Sequence, residues 1–224
     1  KNYEIRSIKK AKKIILVSEL ENMLSGENIY YIKNGVDVKK FFPKNKTCSC
    51  LKIIFSGNMS YEPNIQAVNW FVNNCFSLIL KKYDDAQLVI CGAFPSKKLK
   101  RLNSKNILVT GYVDSIPDMI NEAFLTIAPM ISGSGMQNKI LESMACGIPV
   151  ITTTLGLGSI KAVNDRDIVV RDESNSFAEQ VLNLYRDNTK YSKIAASSRN
   201  FVINHHSWQN HLKKFIKIIE DYPN

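Results

Sequence analysis

Along most of this chain, short unbroken apolar runs alternate with longer stretches in which apolar positions return every three or four residues. Unbroken runs suit strands buried on both faces, and the 3.6-residue recurrence suits helices packed against them. From Leu51 onward the alternation is regular, the pattern of a parallel sheet covered on both sides. It predicts strands near 51–56, 87–91, 106–110, 124–128, 148–153 and 167–170. Helices fill the gaps near 63–82, 97–103, 114–123, 136–147 and 157–163, and the strand-to-strand connections should be right-handed. After Ser174 the pattern is helical throughout, over 174–187, 189–204 and 207–220. The fold class is therefore α/β, a Rossmann-like doubly wound parallel sheet of about six strands with helices on both faces and a helical C-terminus.

Before Leu51 the order is less regular. Residues 1–25 read as helix, strand (12–17) and short helix, followed by a short strand at 28–33. Asn34-Gly35-Val36-Asp37 is a turn by composition, and 42–49, with Pro43 among polar residues, reads as an interdomain linker. The chain does not begin with Met, and its opening resembles the tail of something larger. The expected division is a remnant of a preceding domain at 1–33, a linker at 34–50, the Rossmann-like domain at 51–206 and a C-terminal helix at 207–224.

A chain of 224 residues, 45% hydrophobic, buries one substantial core. No apolar run approaches the roughly 18–20 residues of a membrane span and no signal peptide is recognisable, so the expected location is cytoplasmic. Five cysteines without framework spacing fit a reducing compartment, and Cys48 with Cys50 lacks the partners of a zinc site. The formal charge of +10 invites nucleic acid as a partner. Its lysines are scattered, however, in clusters such as Lys97, Lys98, Lys100 and Arg101 or Lys213, Lys214 and Lys217, without interleaved aromatics to stack bases. An anionic substrate, an acidic membrane surface or plain solvated faces account for them equally well.

Chemistry concentrates at 133–151. Gly133 and Gly135 allow positive φ and close approach of backbone N–H groups at a helix start, which is an anion-binding arrangement. Met136, Ile140, Leu141, Met144 and Ala145 form the apolar half of that helix, leaving Lys139, Glu142 and Cys146 on the other half. An exposed i,i+3 ion pair between Lys139 and Glu142 is the bland alternative, worth about 0.2–0.5 kcal/mol. Its order is the weaker one, and a first-turn lysine opposes the helix dipole. A bound phosphate reverses that penalty, and Glu142, a turn deeper, can then accept from ribose hydroxyls. In an open parallel sheet the loops 57–64, 92–96, 111–114 and 129–137 meet outside the carboxyl ends of the strands, so this motif opens into their common crevice.

Other residues invite less. Asp165-Arg166-Asp167 matches a metal-binding D-x-D but runs straight into a strand. His205, His206 and His211 fall on a polar helical junction without ligand-spaced partners and are expected at a solvated surface. Trp70 and Phe71 are expected in the core. Asn58 and Asn64 suit ligand bonding, while Asn64 equally suits a cap on the helix that Pro63 prepares.

With these residues in view, the chain resembles the C-terminal, donor-binding domain of two-domain GT-B retaining glycosyltransferases, glycosyltransferase group one. Asn34-Gly35-Val36-Asp37 with Phe41-Phe42-Pro43, Phe55-Ser56-Gly57, Gly111-Tyr112-Val113, and Glu142 with Ala145, Gly147, Pro149 and Val150 are similar to successive motifs of that family, as is Ser207-Trp208. The resemblance implies a nucleotide-diphosphate sugar as donor, with no cofactor and no metal. It implies Lys139 as the catalytic cation and donor-binding roles for Gly57, Asn58, Tyr112, Val113, Gly133, Ser134, Gly135, Met136, Gln137 and Glu142. The acceptor, a glycan or lipid-linked molecule of surface polysaccharide synthesis, would bind the largely missing N-terminal domain, leaving this chain inactive alone. Two departures stand out: the first carboxylate of the family's E-x7-E pair falls at Ser134, and 57–64 lacks the usual basic residues, so another cation is needed and Lys139 is the candidate for it. The alternatives are a non-catalytic nucleotide or nucleic-acid binding module and a nucleotide-sugar epimerase, the latter lacking a suitable acid/base set in the crevice loops.

Overall fold

A computed structural model of the chain describes residues 11–16, 28–44, 50–133 and 135–220. Strands β1 (Ile14–Leu16) and β2 (Ile29–Tyr31) pair in parallel as a small separate sheet. The main sheet has six parallel strands: β3 (Lys52–Ser56), β4 (Gln87–Cys91), β5 (Ile107–Gly111), β6 (Leu125–Ala128), β7 (Val150–Thr152) and β8 (Val169–Val170). Their order is β5-β4-β3-β6-β7-β8, so the chain steps outward from β3 and then returns to lay β6 beside it. That reversal between β3 and β6 is where an open α/β sheet leaves a crevice.

Helix α1 (Glu62–Phe71) continues through a π turn (Val72–Phe76) into α2 (Ser77–Leu80), so the long helix expected at 63–82 is continuous but wider in its middle. The others are α3 (Lys97–Lys100), α4 (Ile116–Asn121), α5 (Asn138–Ala145), α6 (Thr154–Leu157), α7 (Ser174–Arg186), α8 (Asn188–His205) and α9 (Trp208–Glu220). Alternate residues of β3 feed opposite cores. Ile53 and Phe55 join Phe71, Phe76 and Phe177 on one face, and Ile54 joins Ile140, Leu141, Met144 and Val202 on the other. Helices α1 and α7 thus cover one side and α5 and α8 the other, which is why the strands read as unbroken apolar runs. Trp70 meets Phe177 edge-on at 5.7 Å and Phe71 is fully buried, as expected of core residues.

Several expectations are revised. The helix predicted at 157–163 lies instead at Thr154–Leu157, because Thr153 caps it through Gly156 N and it ends at Gly158. Ile160 and Ala162 are buried from outside any helix, and their spacing mimics helical periodicity. The histidines do not share one environment. His205 is exposed, but His206 and His211 are only 2% and 5% exposed, packed against the Asn34–Val36 segment. Asn34 O lies 3.3 Å from His206 Nδ1, and burial pushes that imidazole down to about 4 and lowers His211 as well. The described part of the segment expected as a linker is docked rather than free. Val36 pairs with Ser207 in a parallel bridge, Val36 N donates to His206 O at 2.7 Å, and Asn121 of α4 grips Phe42 and Lys44 main chain. The helices expected at the N-terminus, Cys48 and Ser134 lie outside the described residues.

Candidate functional site

A cleft of about 450 Å³ opens at the carboxyl ends of the strands, at the β3/β6 reversal. Its floor is made by main chain that continues the sheet past the strand ends. Gly57 N donates to Cys91 O at 3.0 Å, Met59 N to Ala93 O at 2.8 Å and Gly92 N to Gly111 O at 2.9 Å. The β3 and β4 loops approach so closely that a Cβ on Gly92 would sit 1.8 Å from Gly57 O. Only glycine at 92 permits this contact.

Lys139 reaches the floor from α5. Gln137 is the N-cap of α5 without a side-chain cap bond, so Lys139 stands in the first turn beside uncapped main-chain N–H groups. Its Nζ donates to Asn64 Oδ1 at 2.5 Å and lies 4.1 Å from the centroid of the Phe55 ring. Asn64, in turn, donates from Nδ2 to Asn58 O at 2.9 Å. A Cβ on Gly57 would come within 2.8 Å of Asn64 Nδ2 and 3.0 Å of Lys139 Nζ. Glycine loop, asparagine and lysine therefore touch at one point.

The amine sits in a poor dielectric. Burial pulls Lys139 down from 10.5 to about 7, with Glu142 opposing the shift. Burial likewise pushes the Glu142 carboxyl up, against the attraction of Lys139 and Lys40. Among the described residues no ion pair joins Lys139 to Glu142, so the exposed i,i+3 pair is not the arrangement adopted. A half-neutral amine and a destabilised carboxylate share one cleft wall, and an incoming anion with hydroxyl groups would satisfy both.

The predicted residues divide by location. Gly57, Asn58, Tyr112, Val113, Gln137, Lys139 and Glu142 line the cleft together. Tyr112 is 75% exposed at the rim. Asn58 uses its side-chain Oδ1 locally, accepting from Ser60 N and Oγ. Gly133 and Gly135 do take positive φ, at 94° and 89°. Gly133 packs toward Pro63 and Tyr61, Gly135 faces open space, and Met136 packs against the second core, so none of the three lines the cleft. Tyr61, Gly92 and Ala93 also line the cleft, from loops that the sequence placed at the crevice without naming them as site residues, and Ile116 lines it from outside those loops. The sequence also left Asn64 as either ligand or cap; the cap of α1 is Tyr61, with Pro63 already inside the first turn. Pro63 is the signal that places the cap upstream of Asn64. At the Asp165-Arg166-Asp167 motif the carboxylates are engaged, Asp165 by Arg171 and Asp167 by Arg166, Ser197 and Val163 N.

Fold and cleft together define a Rossmann-like α/β domain with a cleft lined by Lys139 and Glu142 at its topological switch point. The chain belongs to the glycosyl transferases group 1 family, which it matches over residues 50–187. It is 22% identical over 159 residues to an uncharacterised 44.6 kDa protein in the cps region of Klebsiella pneumoniae, covering 67% of this chain and 41% of that one. Among solved structures, a mutant of S. aureus TarM in complex with Fondaparinux, alpha-GlcNAc-glycerol and UDP aligns with a TM-score of 0.79 at 18% identity, over 97% of this chain and 45% of that chain. Anabaena HepE in complex with UDP-glucose aligns with a TM-score of 0.76 at 15% identity, over 95% of this chain and 64% of HepE. The chain thus spans about half the length of the proteins it resembles.

Proposed function

We propose that this chain is the donor-binding half of a retaining glycosyltransferase, which holds a nucleotide-diphosphate sugar while a hexosyl unit passes to a glycan or lipid-linked acceptor in surface polysaccharide synthesis. The observation that carries this reading is the placement of Lys139 against the Gly57 loop at the switch point, with Glu142 one turn deeper on the same wall. In the reaction the diphosphate leaves with growing negative charge. Lys139 and the first-turn amides of α5 meet that charge, a stabilisation that needs no reorganisation when the bond breaks. Glu142 accepts from the ribose hydroxyls, and the Tyr112-Val113 loop faces the base. This reading places the diphosphate charge on Lys139 and the helix end rather than on a metal.

Relatives supply further support: HepE has been solved with UDP-glucose, TarM with UDP and alpha-GlcNAc-glycerol, and the Klebsiella relative lies in a cps region. The acceptor and the rest of the machinery belong, on this reading, to an N-terminal domain. Helix α9 exposes Leu212, Phe215, Ile216 and Ile219 beside Lys213, Lys214 and Lys217, a face suited to that domain or to the inner surface of an acidic membrane. No helix among the described residues is long and apolar enough to cross a membrane.

Calorimetric titration with UDP, GDP and ADP, repeated on Lys139→Ala and Glu142→Ala, tests the site. One nucleotide should bind, and both variants should weaken it. Binding of none, or unchanged binding in both variants, refutes the assignment. The chain alone should transfer no sugar, and measurable turnover would show that the acceptor machinery is misplaced.

A further inference from the structure

We propose that Asn64 is the positioning residue of the cleft, a side-chain bridge that locks the β3 glycine loop to the α5 lysine so that both present to the diphosphate as one unit. The inference rests on the nucleotide-sugar reading of the cleft and adds to it a residue that would act only through others.

Asn64 is 5% exposed, although it is a polar residue in the first turn of a surface helix. It does not cap α1, because Tyr61 occupies that position and Asn64 N donates to Tyr61 O at 2.9 Å in a tight bond three residues back. Its side chain is instead spent between two remote partners. Oδ1 accepts from Lys139 Nζ at 2.5 Å, 75 residues away, and Nδ2 donates to Asn58 O at 2.9 Å. The orientation of the amide follows from chemistry: the Lys139 ammonium only donates to it and a carbonyl only accepts. A flipped amide would oppose donor to donor and acceptor to acceptor. Aspartate keeps the lysine contact but places a carboxylate oxygen against the Asn58 carbonyl, and leucine offers neither bond.

The bridge also sets what Lys139 has left to offer. An ammonium has three donors. One goes to Asn64, the Phe55 ring face takes another side at 4.1 Å, and the remaining capacity is available to an anion at the Gly57 loop. Without Asn64 the four-carbon stem of Lys139 has no polar anchor in the cleft and its rotamer freedom must be lost on binding instead. Because the same amide holds Asn58 O, loosening it releases the glycine loop as well as the lysine.

A double-mutant cycle on the full chain separates this role from mere structural support. Asn64→Ala, Lys139→Ala and the double variant are titrated with the nucleotide that binds the parent chain, and with Asn64→Asp over pH 7 to 9. Asn64→Ala should weaken binding about tenfold or more, and the double variant should lose clearly less than the product of the two single losses, because both singles remove the Lys139 contact while only the loss of the Asn58 contact adds to it. Asn64→Asp should bind more weakly at pH 7 and lose the parent's decline in affinity with rising pH, since its carboxylate keeps Lys139 charged. Labelling of Lys139 with acetic anhydride, followed against pH by mass spectrometry, should show the same upward displacement without any nucleotide. Multiplicative losses in the cycle, or an Asn64→Asp profile parallel to that of the parent in both measurements, would overturn the positioning role alone. If the parent binds no nucleotide, an unmoved Lys139 labelling midpoint in Asn64→Asp overturns the bridge, while a displaced midpoint leaves the bridge standing and only the nucleotide reading falls.

Discussion

Donor binding should take up a proton, and the size of the effect follows from where Lys139 sits. In the empty cleft burial brings its amine to about 7, so at neutral pH roughly half of the molecules carry the charge that a diphosphate needs. A diphosphate lodged against the amine restores the charged form, because the opposite charge outweighs the lost hydration. Apparent affinity then scales with the charged fraction of the free protein, which drops from about one half at pH 7 to about one hundredth at pH 9. The sign is fixed: affinity is highest below pH 7 and declines as pH rises, by about fifty-fold between pH 7 and pH 9. A nucleotide sugar is the right probe, since its diphosphate has no monoester ionisation near pH 6 to confuse the profile. Titration calorimetry at pH 7 in two buffers of different ionisation enthalpy should report uptake of about half a proton per ligand bound. Affinity that stays level from pH 7 to 9, heats that do not depend on the buffer, or a slope that persists in Lys139→Ala would refute the argument.

Further outcomes follow from the same geometry. Lys139→Met should weaken nucleotide binding by roughly tenfold to a hundredfold and leave the melting temperature nearly unchanged, since relief of the buried amine offsets the loss of the donor to Asn64 Oδ1; unchanged binding, or a large fall in melting point, would contradict this. Glu142→Gln should weaken nucleotide binding by roughly tenfold, as loss of a charged acceptor does, and should cost much less with a 2′,3′-dideoxy nucleotide. Gly92→Ala should destabilise the chain by about 2–4 kcal/mol in urea unfolding, since its Cβ would overlap the Gly57 carbonyl and force the cleft floor apart. Stability should also fall in mild acid. The folded value of His206 is depressed, so the unfolded chain binds more protons between about 4 and 6.5. Its contribution is intact above 6.5 and lost as pH falls through about 4, to a limit of about 3 kcal/mol. His206→Gln should flatten that part of the stability profile, measured by thermal melts from pH 7 to 4.5.

The main sheet was legible because its strands are buried on both faces and punctuated by loops, so the apolar runs of β3, β4 and β6 stand out without any knowledge of their partners. Lys139 and Glu142 were legible because helical spacing alone places them on one face of α5. What the sequence hid are contacts between distant residues. The Asn64 acceptor for Lys139 lies 75 positions away, and the wall that buries His206 comes from Asn34, 172 positions away. A histidine's polarity says nothing of such a wall. The misplaced helix at 157–163 has a different cause, since Ile160 and Ala162 are buried from a non-helical segment whose spacing alone imitates a helix.

The bridge between Val36 and Ser207 has a mechanical consequence. It joins the point where the chain comes onto the domain to the point where it leaves, through main-chain bonds from Val36 N to His206 O and from Trp208 N to Val36 O. A force applied through the segment before Asn34 is therefore carried sideways into the base of α9, loading these bonds in shear, instead of running down β3 into the cleft. Residues 34–36 and the base of α9 are thereby held as one piece, so a displacement of Asn34 must be shared with Trp208 before it reaches the sheet.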